Sequence, residues 1–396
     1  MNSSAYGARL SFIWRRTWIV AALCFALFAT LPGQAQDQAL LSASNSPLLP
    51  PVALSTGDFD RLNASARGLA GEKSVAGDAA WESTQEWLDY QKWLEGSWSY
   101  LDQVRLNAMR AWGTTELAVL RSESRTVFYP FSGPDDLYAD TLFPDSKVLL
   151  MAGLEPVGTM PDLAQLRQQG KLAPYLAQVK ISLSTILAAS FFKTKDMKND
   201  FNNQLVDGLM PAMVVFLARQ GCTIDSIQYV VLDPAGTLHL HGAGSGEPGV
   251  QVTYFQGDRS NLRVLLYFQA DLGNDGLKAN PGFVRLMHRL GPGVTYLKAA
   301  SYLLYEDYFS TIRDGILDNS VGVVEDDSGI PFHDFNPSEW DVIPYGNYTG
   351  PIALFKEHNQ PDLTGFYAKT PHQPLPFGSG YKFNASISSL LVAKKK

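Results

Sequence analysis

The centre of this chain is residues 125–158, RTVFYPFSGPDDLYADTLFPDSKVLLMAGLEPVG. Residues 126–131 alternate in polarity and are rich in aromatic side chains, which predicts a β-strand. The polar turn that follows, 132–135, contains Pro134, a residue well suited to the first position of a helix. A short helical pattern then leads to residues 147–154, whose unbroken apolar run is typical of a strand buried on both faces. We therefore predict a strand–helix–strand unit.

Acidic side chains follow both predicted strands of this unit. Asp135 and Asp136 come after the first strand, and Glu155 comes after the second. In open α/β sheets, ligands bind outside the carboxyl ends of the strands. We therefore expect Ser132, Gly133, Asp135 and Glu155 to bind a ligand.

The spacing from Gly133 to Glu155 is close to that of dinucleotide-binding units, in which an acidic residue about 20 positions after the glycines binds a ribose hydroxyl. The turn has one glycine, however, whereas a dinucleotide loop needs several so that the backbone can approach the pyrophosphate. Its two aspartates would also repel phosphate. Methyltransferases that bind S-adenosylmethionine have a looser version of this layout, which leaves them as an alternative. The sequence does not identify a cofactor.

Composition favours a globular protein with a large core. The chain has 396 residues, of which 45% are apolar and 18% charged. Its formal net charge of −7 argues against nucleic acid as a partner, because no basic surface remains to neutralise phosphates. Of the two cysteines, Cys24 lies in the leader described below, and we predict that Cys222 is a small buried residue.

Residues 1–35 have the pattern of an export signal. Arg9, Arg15 and Arg16 precede an apolar run from Trp18 to Leu31, which is shorter than the roughly 20 residues of a membrane span. We therefore expect an exported protein, periplasmic or secreted, that could contact a membrane only through an uncleaved leader.

The remaining chain divides into two parts. Residues 36–80 are rich in Ala, Ser, Leu, Pro and Gly, and we predict a flexible linker or arm there. Residues 81–393 are predicted to form one α/β domain. It begins with a Trp-rich helical segment, whose aromatic stripe is more typical of a buried helix face than of a sugar-stacking platform.

The predicted fold class is α/β. A mixed sheet contains the Rossmann-like βαβ unit at about 125–155, and antiparallel strands occupy the second half of the chain. The period changes from helical over 161–221 to strand-like over 227–269, where Asp233-Pro234-Ala235-Gly236 predicts a hairpin turn.

Two further groups of residues are candidates for chemistry. Asp326, Asp327 and His333 lie in DDSGIPFHDF and suit general acid–base catalysis in kind, although a polar loop explains them nearly as well. His239 and His241 would project from the same face of a strand and could supply two metal ligands. No third ligand is identifiable, so we do not predict a metal site.

The strings FYPFSGPD, GLEPVG and DDSGIPFHDF resemble segments of secreted bacterial proteins from an uncharacterised family. The resemblance covers roughly residues 85–393. It implies an exported bacterial protein and brings no known activity with it.

Two functions are consistent with these observations. The first is an exported envelope protein that binds a small polar molecule near residues 132–136 and Glu155. The second is an enzyme, hydrolase-like or with a methyltransferase-like fold, whose catalytic residues come from Asp135, Asp136, Glu155, Asp326, Asp327 and His333. An enzyme should place at least two of Asp135, Glu155, Asp326, Asp327 and His333 in one cavity. The sequence makes no prediction of the oligomeric state.

Overall fold

A mixed sheet of ten strands forms the centre of the protein. The computed structural model describes residues 46–75, 79–191 and 205–396. The predicted export signal and the first part of the predicted linker lie outside these ranges. The strands are β1 (Thr126–Tyr129), β2 (Val148–Gly153), β3 (Cys222–Leu232), β4 (Leu238–Leu240), β5 (Glu247–Gln256), β6 (Arg263–Gln269), β7 (Gly293–Leu297), β8 (Ser320–Glu325), β9 (Trp340–Gly346) and β10 (Ser389–Lys395).

The order of strands across the sheet is β4-β3-β5-β6-β2-β1-β7-β8-β10-β9. The five central strands, which lie in the order β6-β2-β1-β7-β8, run parallel to one another. The strands on either side of them pair antiparallel. Numbered along the chain, the parallel strands have the order 3-2-1-4-5, which is that of the doubly wound α/β sheet. The predicted α/β class with a mixed sheet is therefore confirmed. The resemblance to a Rossmann sheet is approximate, because antiparallel strands extend both edges.

Helices cover both faces of the sheet. They are α1 (Thr56–Leu69), α2 (Gln85–Leu101), α3 (Asn107–Glu116), α4 (Ala118–Glu123), α5 (Asp136–Leu142), α6 (Leu163–Gln168), α7 (Leu172–Ala188), α8 (Met210–Arg219), α9 (Asn274–Ala279), α10 (Gly282–Leu290), α11 (Ser310–Asn319) and α12 (Pro361–Lys369). A five-residue π-helix, Asp102–Leu106, joins α2 to α3.

Each face of the sheet has its own hydrophobic core. Val127 and Tyr129 of β1 belong to a core shared with α1, α2, α5, α7 and α8. Phe128, between them, belongs to the opposite core, which is shared with α10 and α11. Successive side chains of a strand point to opposite faces, so a strand covered on both sides must be apolar throughout. This explains the unbroken apolar run of β2.

The predicted linker differs from the structure over residues 56–69, which form helix α1. The side chain of Ser55 caps this helix by accepting a hydrogen bond from the backbone N–H of Asp58. Leu69 is fully buried in the core. The sequence does not predict this helix, because its hydrophobic face is short and its Gly, Ser and Asn residues are weak helix formers.

The Trp-rich segment is part of the core, as predicted. Trp87, Trp98 and Trp112 are buried, and the indole N–H of Trp87 donates to the backbone oxygen of Gly68 at 2.9 Å. Within the described ranges, the structure contains no helix with the length and apolar character needed to span a bilayer.

Candidate functional site

A cavity of about 120 Å³ lies at the carboxyl ends of β1, β2 and β7. The order of the parallel strands reverses around β1, so this is the switch point at which ligands bind in doubly wound sheets. All four residues predicted to bind a ligand line it: Ser132, Gly133, Asp135 and Glu155. The other residues of its wall include Tyr129, Phe131, Gly153, Leu154, Phe191, Lys298, Ala299, Ser301 and Leu303.

The turn after β1 is tied closely to the end of β2. The backbone N–H of Ser132 donates to the oxygen of Ala152 at 2.9 Å, and Gly133 has the left-handed φ of 54°. A Cβ atom on Gly153 would lie 3.3 Å from Gly133 Cα and 3.0 Å from Glu155 Oε2. The glycines thus let the two strand ends approach, and they leave room for the Glu155 carboxylate beside the turn.

A buried ion pair between Asp135 and Lys298 connects β1 to β7 across the cavity wall. Lys298 Nζ lies 2.5 Å from Asp135 Oδ2, and the hydroxyl of Tyr129 donates to the same oxygen at 2.8 Å. Burial raises the pKa of Asp135, against the lowering effect of Lys298 and of the backbone N–H of Tyr138. Asp135 Oδ1 has no partner that meets the geometric criteria of a hydrogen bond in the described part of the chain.

The ammonium group of Lys298 makes three contacts within the protein. Besides Asp135, its ammonium group donates to the backbone oxygen of Ser190 and lies 3.9 Å from the centre of the Tyr138 ring. An ammonium group has three N–H donors, and two of them are needed for the Asp135 and Ser190 oxygens. Burial lowers the pKa of Lys298, against the raising effect of Asp135. Lys298 thus holds the site together rather than offering a free positive charge.

A second buried cation, Arg105, holds the end of helix α7 next to the cavity. Arg105 lies in the π-helix and donates to the Tyr138 hydroxyl at 2.8 Å and to the backbone oxygen of Ala189. Lysine and arginine side chains commonly bind the last carbonyls of a helix in this way. Arg105 and Lys298 together fix the backbone just before Phe191, whose ring forms part of the cavity wall.

The backbone around the cavity is strained. Among the described residues, the non-glycine residues with a left-handed φ are Phe131 (62°), Ala299 (52°), Ser301 (57°) and Tyr302 (57°). All four follow β1 or β7. Each costs roughly 1–3 kcal/mol, and such residues concentrate at functional sites.

Asp136, predicted next to Asp135, does not line the cavity. Its side chain is fully buried in the first turn of α5, and within the described ranges neither carboxyl oxygen has a hydrogen-bond partner. Burial, and then the neighbouring carboxylates of Asp140 and Asp135, raise the pKa of Asp136 well above its usual range. Asp136 is therefore part of the core in the first turn of α5 and not of the cavity wall.

The acidic residues after β8 also lie outside the cavity lining. Asp326 Oδ2 accepts a hydrogen bond from the backbone N–H of Ala299 at 2.9 Å, so it contacts the cavity wall from behind. Asp327 Oδ2 accepts from the hydroxyl of Tyr302 at 2.8 Å and from Lys382 at 3.1 Å. His333 is exposed and lies near Asp334 and Asp362 instead. The described lining of the cavity therefore contains Asp135 and Glu155 but none of Asp326, Asp327 and His333.

The two histidine candidates, His239 and His241, lie on β4 and just beyond it. His239 Nε2 lies 2.8 Å from Asp233 Oδ2, in the hairpin turn, and His241 is exposed just beyond β4. Across the ranges that the structure describes, no group of three His, Cys, Asp or Glu side chains is arranged to hold a metal ion. Cys222 is buried as predicted, and burial raises the pKa of its thiol to about 12.

Several residues of the site were not predicted from the sequence. They are Tyr129, Phe191, Lys298 and Ser301, and strand β7 itself was missed. A signal for β7 was present: Gly293–Leu297 is a short run with valine, threonine, tyrosine and leucine, preceded by the turn residues Gly291-Pro292. A strand there would have placed Lys298 at a carboxyl end, whereas its position beside Asp135 depends on the pairing of β1 with β7.

The structure brings Asp135 and Glu155 into one cavity, which is the minimum arrangement expected of an enzyme. Asp326 does not line this cavity, but it accepts a hydrogen bond from the backbone of Ala299, which does. Comparison of the chain with protein-family models, with curated proteins and with solved structures finds no match.

Proposed function

We propose that this protein binds a small ligand with hydroxyl or amino groups in the cavity between the ends of β1, β2 and β7. The observation that carries the proposal is the pair of carboxyl side chains, Asp135 and Glu155, that line one cavity at the switch point of the sheet. A ligand with hydroxyl or amino groups supplies the donors that such carboxyl oxygens accept.

The size of the cavity supports a ligand no larger than a monosaccharide or an amino acid. One water molecule needs roughly 10–15 Å³ of such space. A cavity of about 120 Å³ therefore holds on the order of ten water-sized groups. A dinucleotide is several times larger and would extend far outside the cavity.

The charges of the wall favour a neutral or cationic ligand. Two carboxylates, Asp135 and Glu155, line the cavity, and the ammonium group of Lys298 already makes three contacts. An anion such as phosphate would meet both carboxylates at short range, where like charges repel strongly. Hydroxyl and ammonium groups instead donate to carboxylate oxygens.

Glu155 adds a second acceptor at the position where doubly wound sheets bind sugar hydroxyls. It follows β2, just as the acidic residue of dinucleotide-binding units does. A carboxylate there can accept hydrogen bonds from two neighbouring hydroxyls of a sugar ring. Together with the expected export signal, this supports an envelope protein that binds a sugar or an amino sugar.

A thermal-shift screen tests the proposal, because a ligand that binds only the native state raises Tm. The probes are D-ribose, D-glucose, D-glucosamine, inorganic phosphate and S-adenosylmethionine. We expect D-glucosamine or a neutral sugar to raise Tm and phosphate to have no effect. Failure of every sugar to raise Tm, or a shift with phosphate alone, would contradict the proposal.

Two variants connect any shift to the cavity. Glu155→Gln and Asp135→Asn keep the shape of each side chain and remove its charge, and each is expected to weaken sugar binding at least tenfold. The control is Glu339→Gln. Glu339 is exposed and directly precedes β9, the strand at the edge of the sheet, three strands away from β7. Isothermal titration of the three variants compares their affinities directly.

Catalysis on such a ligand is the second candidate. It is favoured by the paired Asp135 and Glu155 carboxylates and by the strained backbone at Phe131, Ala299 and Ser301. The methyltransferase-like alternative predicts that S-adenosylmethionine raises Tm more than any sugar. The same screen therefore distinguishes it from simple sugar binding.

A further inference from the structure

The segment after β7, residues 299–302, is held in place by the segment after β8. Asp326 Oδ2 accepts a hydrogen bond from the backbone N–H of Ala299 at 2.9 Å, and Ser328 Oγ accepts from the N–H of Ala300 at 2.8 Å. The backbone oxygen of Ser328 accepts from the N–H of Tyr302 at 3.2 Å. Three backbone donors of one short turn are thus bound by a single short segment.

Asp326 is the centre of this arrangement because both its oxygens are used. While Oδ2 binds Ala299, Oδ1 accepts from the backbone N–H of Ser328 at 3.0 Å and from its hydroxyl at 2.5 Å. Gly380 packs against the same carboxylate, and its position leaves no room for a Cβ atom. Asp326 is almost fully buried, so it cannot exchange these partners for water.

The turn that Asp326 holds carries three of the four strained non-glycine residues: Ala299, Ser301 and Tyr302. Such a turn would relax to an ordinary backbone conformation if its contacts were lost. Lys298 precedes it directly, and Ala299 and Ser301 line the cavity. The Ser301 hydroxyl lies 2.7 Å from the hydroxyl of Tyr381, which in turn donates to the Ala299 oxygen at 3.0 Å.

We propose that Asp326 is a positioning residue: it acts through Ala299 to hold the Ser301 hydroxyl and the Lys298–Asp135 pair in their binding geometry. This inference rests on the proposed function of the cavity. Asp326, in the acidic segment after β8, would then contribute to ligand recognition without touching the ligand. It also explains why a cluster with the composition of a catalytic site lies behind the cavity wall rather than in it.

The test compares stability with binding. Asp326→Asn keeps the shape of the side chain but replaces one acceptor oxygen by an NH₂ donor. The remaining oxygen should face Ser328, which offers two donors, so Ala299 loses its acceptor. Ala299→Gly removes the strain of the left-handed φ, because glycine has no Cβ atom. The double variant Asp326→Asn/Ala299→Gly should therefore recover much of the Tm that Asp326→Asn loses. Ser328→Ala serves if Asp326→Asn does not fold: it removes the side-chain contacts to Ala300 and to Asp326 Oδ1 and leaves the hydrogen bond from Ala299 to Asp326 Oδ2 in place.

Two measurements decide the outcome. With D-glucosamine as the probe, the double variant should bind at least tenfold more weakly than the wild type despite its recovered Tm. Amide hydrogen exchange at Ala299 in the free protein should be at least 100-fold faster in Asp326→Asn. Affinity that recovers together with Tm, or unchanged exchange at Ala299, would overturn the positioning role.

The exchange measurement also separates this inference from the proposed function. If no sugar binds even the wild type, the proposed function fails, and exchange at Ala299 still reports whether Asp326 holds the turn. Asp341→Asn, at an exposed aspartate on β9, is the control for both measurements and should change neither.

Discussion

At the scale of residues, the Asp135–Lys298 ion pair is the contact on which the cavity depends. The side chains are 3% and 1% exposed, so neither charge is solvated by water. Removing one member of a buried pair leaves the other charge uncompensated, which typically costs 3–5 kcal/mol. Asp135 also binds the Tyr129 hydroxyl, and Lys298 binds the backbone oxygen of Ser190. Loss of the pair would therefore disturb the cavity wall on both the β1 side and the Ser190 side.

We expect Lys298→Met to lower the free energy of unfolding by about 3–5 kcal/mol, because the Asp135 carboxylate stays buried without its partner. Adding Asp135→Asn should recover part of this loss, since no charge then remains. Urea unfolding of the two single variants and the double variant measures the coupling. Strictly additive effects would show that the two side chains do not stabilise each other.

A second residue-scale prediction concerns pH. Glu247, on β5, is partly buried, and burial followed by the nearby Asp271 raises its pKa from 4.5 to about 7. The folded state therefore keeps this proton to a higher pH than the unfolded state does. Stability should fall as pH rises from about 4.5 to 7 and then stay level, at a cost of roughly 1–2 kcal/mol after allowing for solvent screening.

Glu247→Gln removes this titration. We expect the variant to lose less stability than the wild type between pH 5 and pH 8, by roughly 1–2 kcal/mol, in urea unfolding at the two pH values. The exposed variant Glu339→Gln should behave like the wild type. An identical pH dependence in Glu247→Gln and the wild type would mean that Glu247 titrates normally.

At the scale of elements, helix α8 begins against the segment that follows β2. The backbone N–H groups of Leu209 and Met210 donate to the oxygens of Pro156 and Val157 at 3.1 and 2.9 Å. These contacts satisfy donors that the first turn of a helix leaves free. They require Gly158, because a Cβ atom there would lie 2.6 Å from the Cα atom of Gly208.

Gly158→Ala should therefore cost more stability than the left-handed backbone conformation alone would cause, because the added Cβ atom also meets Gly208. Gly170 is the matched control: its φ of 67° is close to the 71° of Gly158, but a Cβ atom there meets nothing within 4 Å. We expect Gly170→Ala to cost roughly 1–2 kcal/mol and Gly158→Ala about 1–3 kcal/mol more, measured by urea unfolding. Equal costs would show that the helix can shift to make room.

Elements whose signals are local could be predicted from the sequence, and those that depend on tertiary context could not. The unit from β1 to β2 has aromatic strand residues, a turn and a following apolar run, all within one stretch. Helix α1 has weak propensity and gains its stability from packing against the core. Four of the cavity residues were predictable because they follow the strands of the local unit. Lys298 was not, because its neighbours come from distant parts of the chain.

At the scale of the whole molecule, the sheet combines a parallel centre with antiparallel edges, and its order places the cavity at the reversal around β1. The α/β class follows from the alternation of helical and strand-like periods along the chain. The order of the strands does not, because the pairing of β1 with β7 leaves no local trace. The location of the cavity therefore depends on the order of the strands, although several of its residues can be predicted from the local sequence.

The pairing of β1 with β7 also has a kinetic consequence. Val127 lies opposite Val294, and strands β2 to β6 are all synthesised between them. Contacts between such distant residues form late and slow folding, because a long loop must close first. The ion pair across the cavity wall cannot form before this closure, so a ligand that needs the complete wall would bind only fully folded chains. Its binding would then report the last steps of folding, and collapsed intermediates that lack the β1–β7 pairing would not bind it.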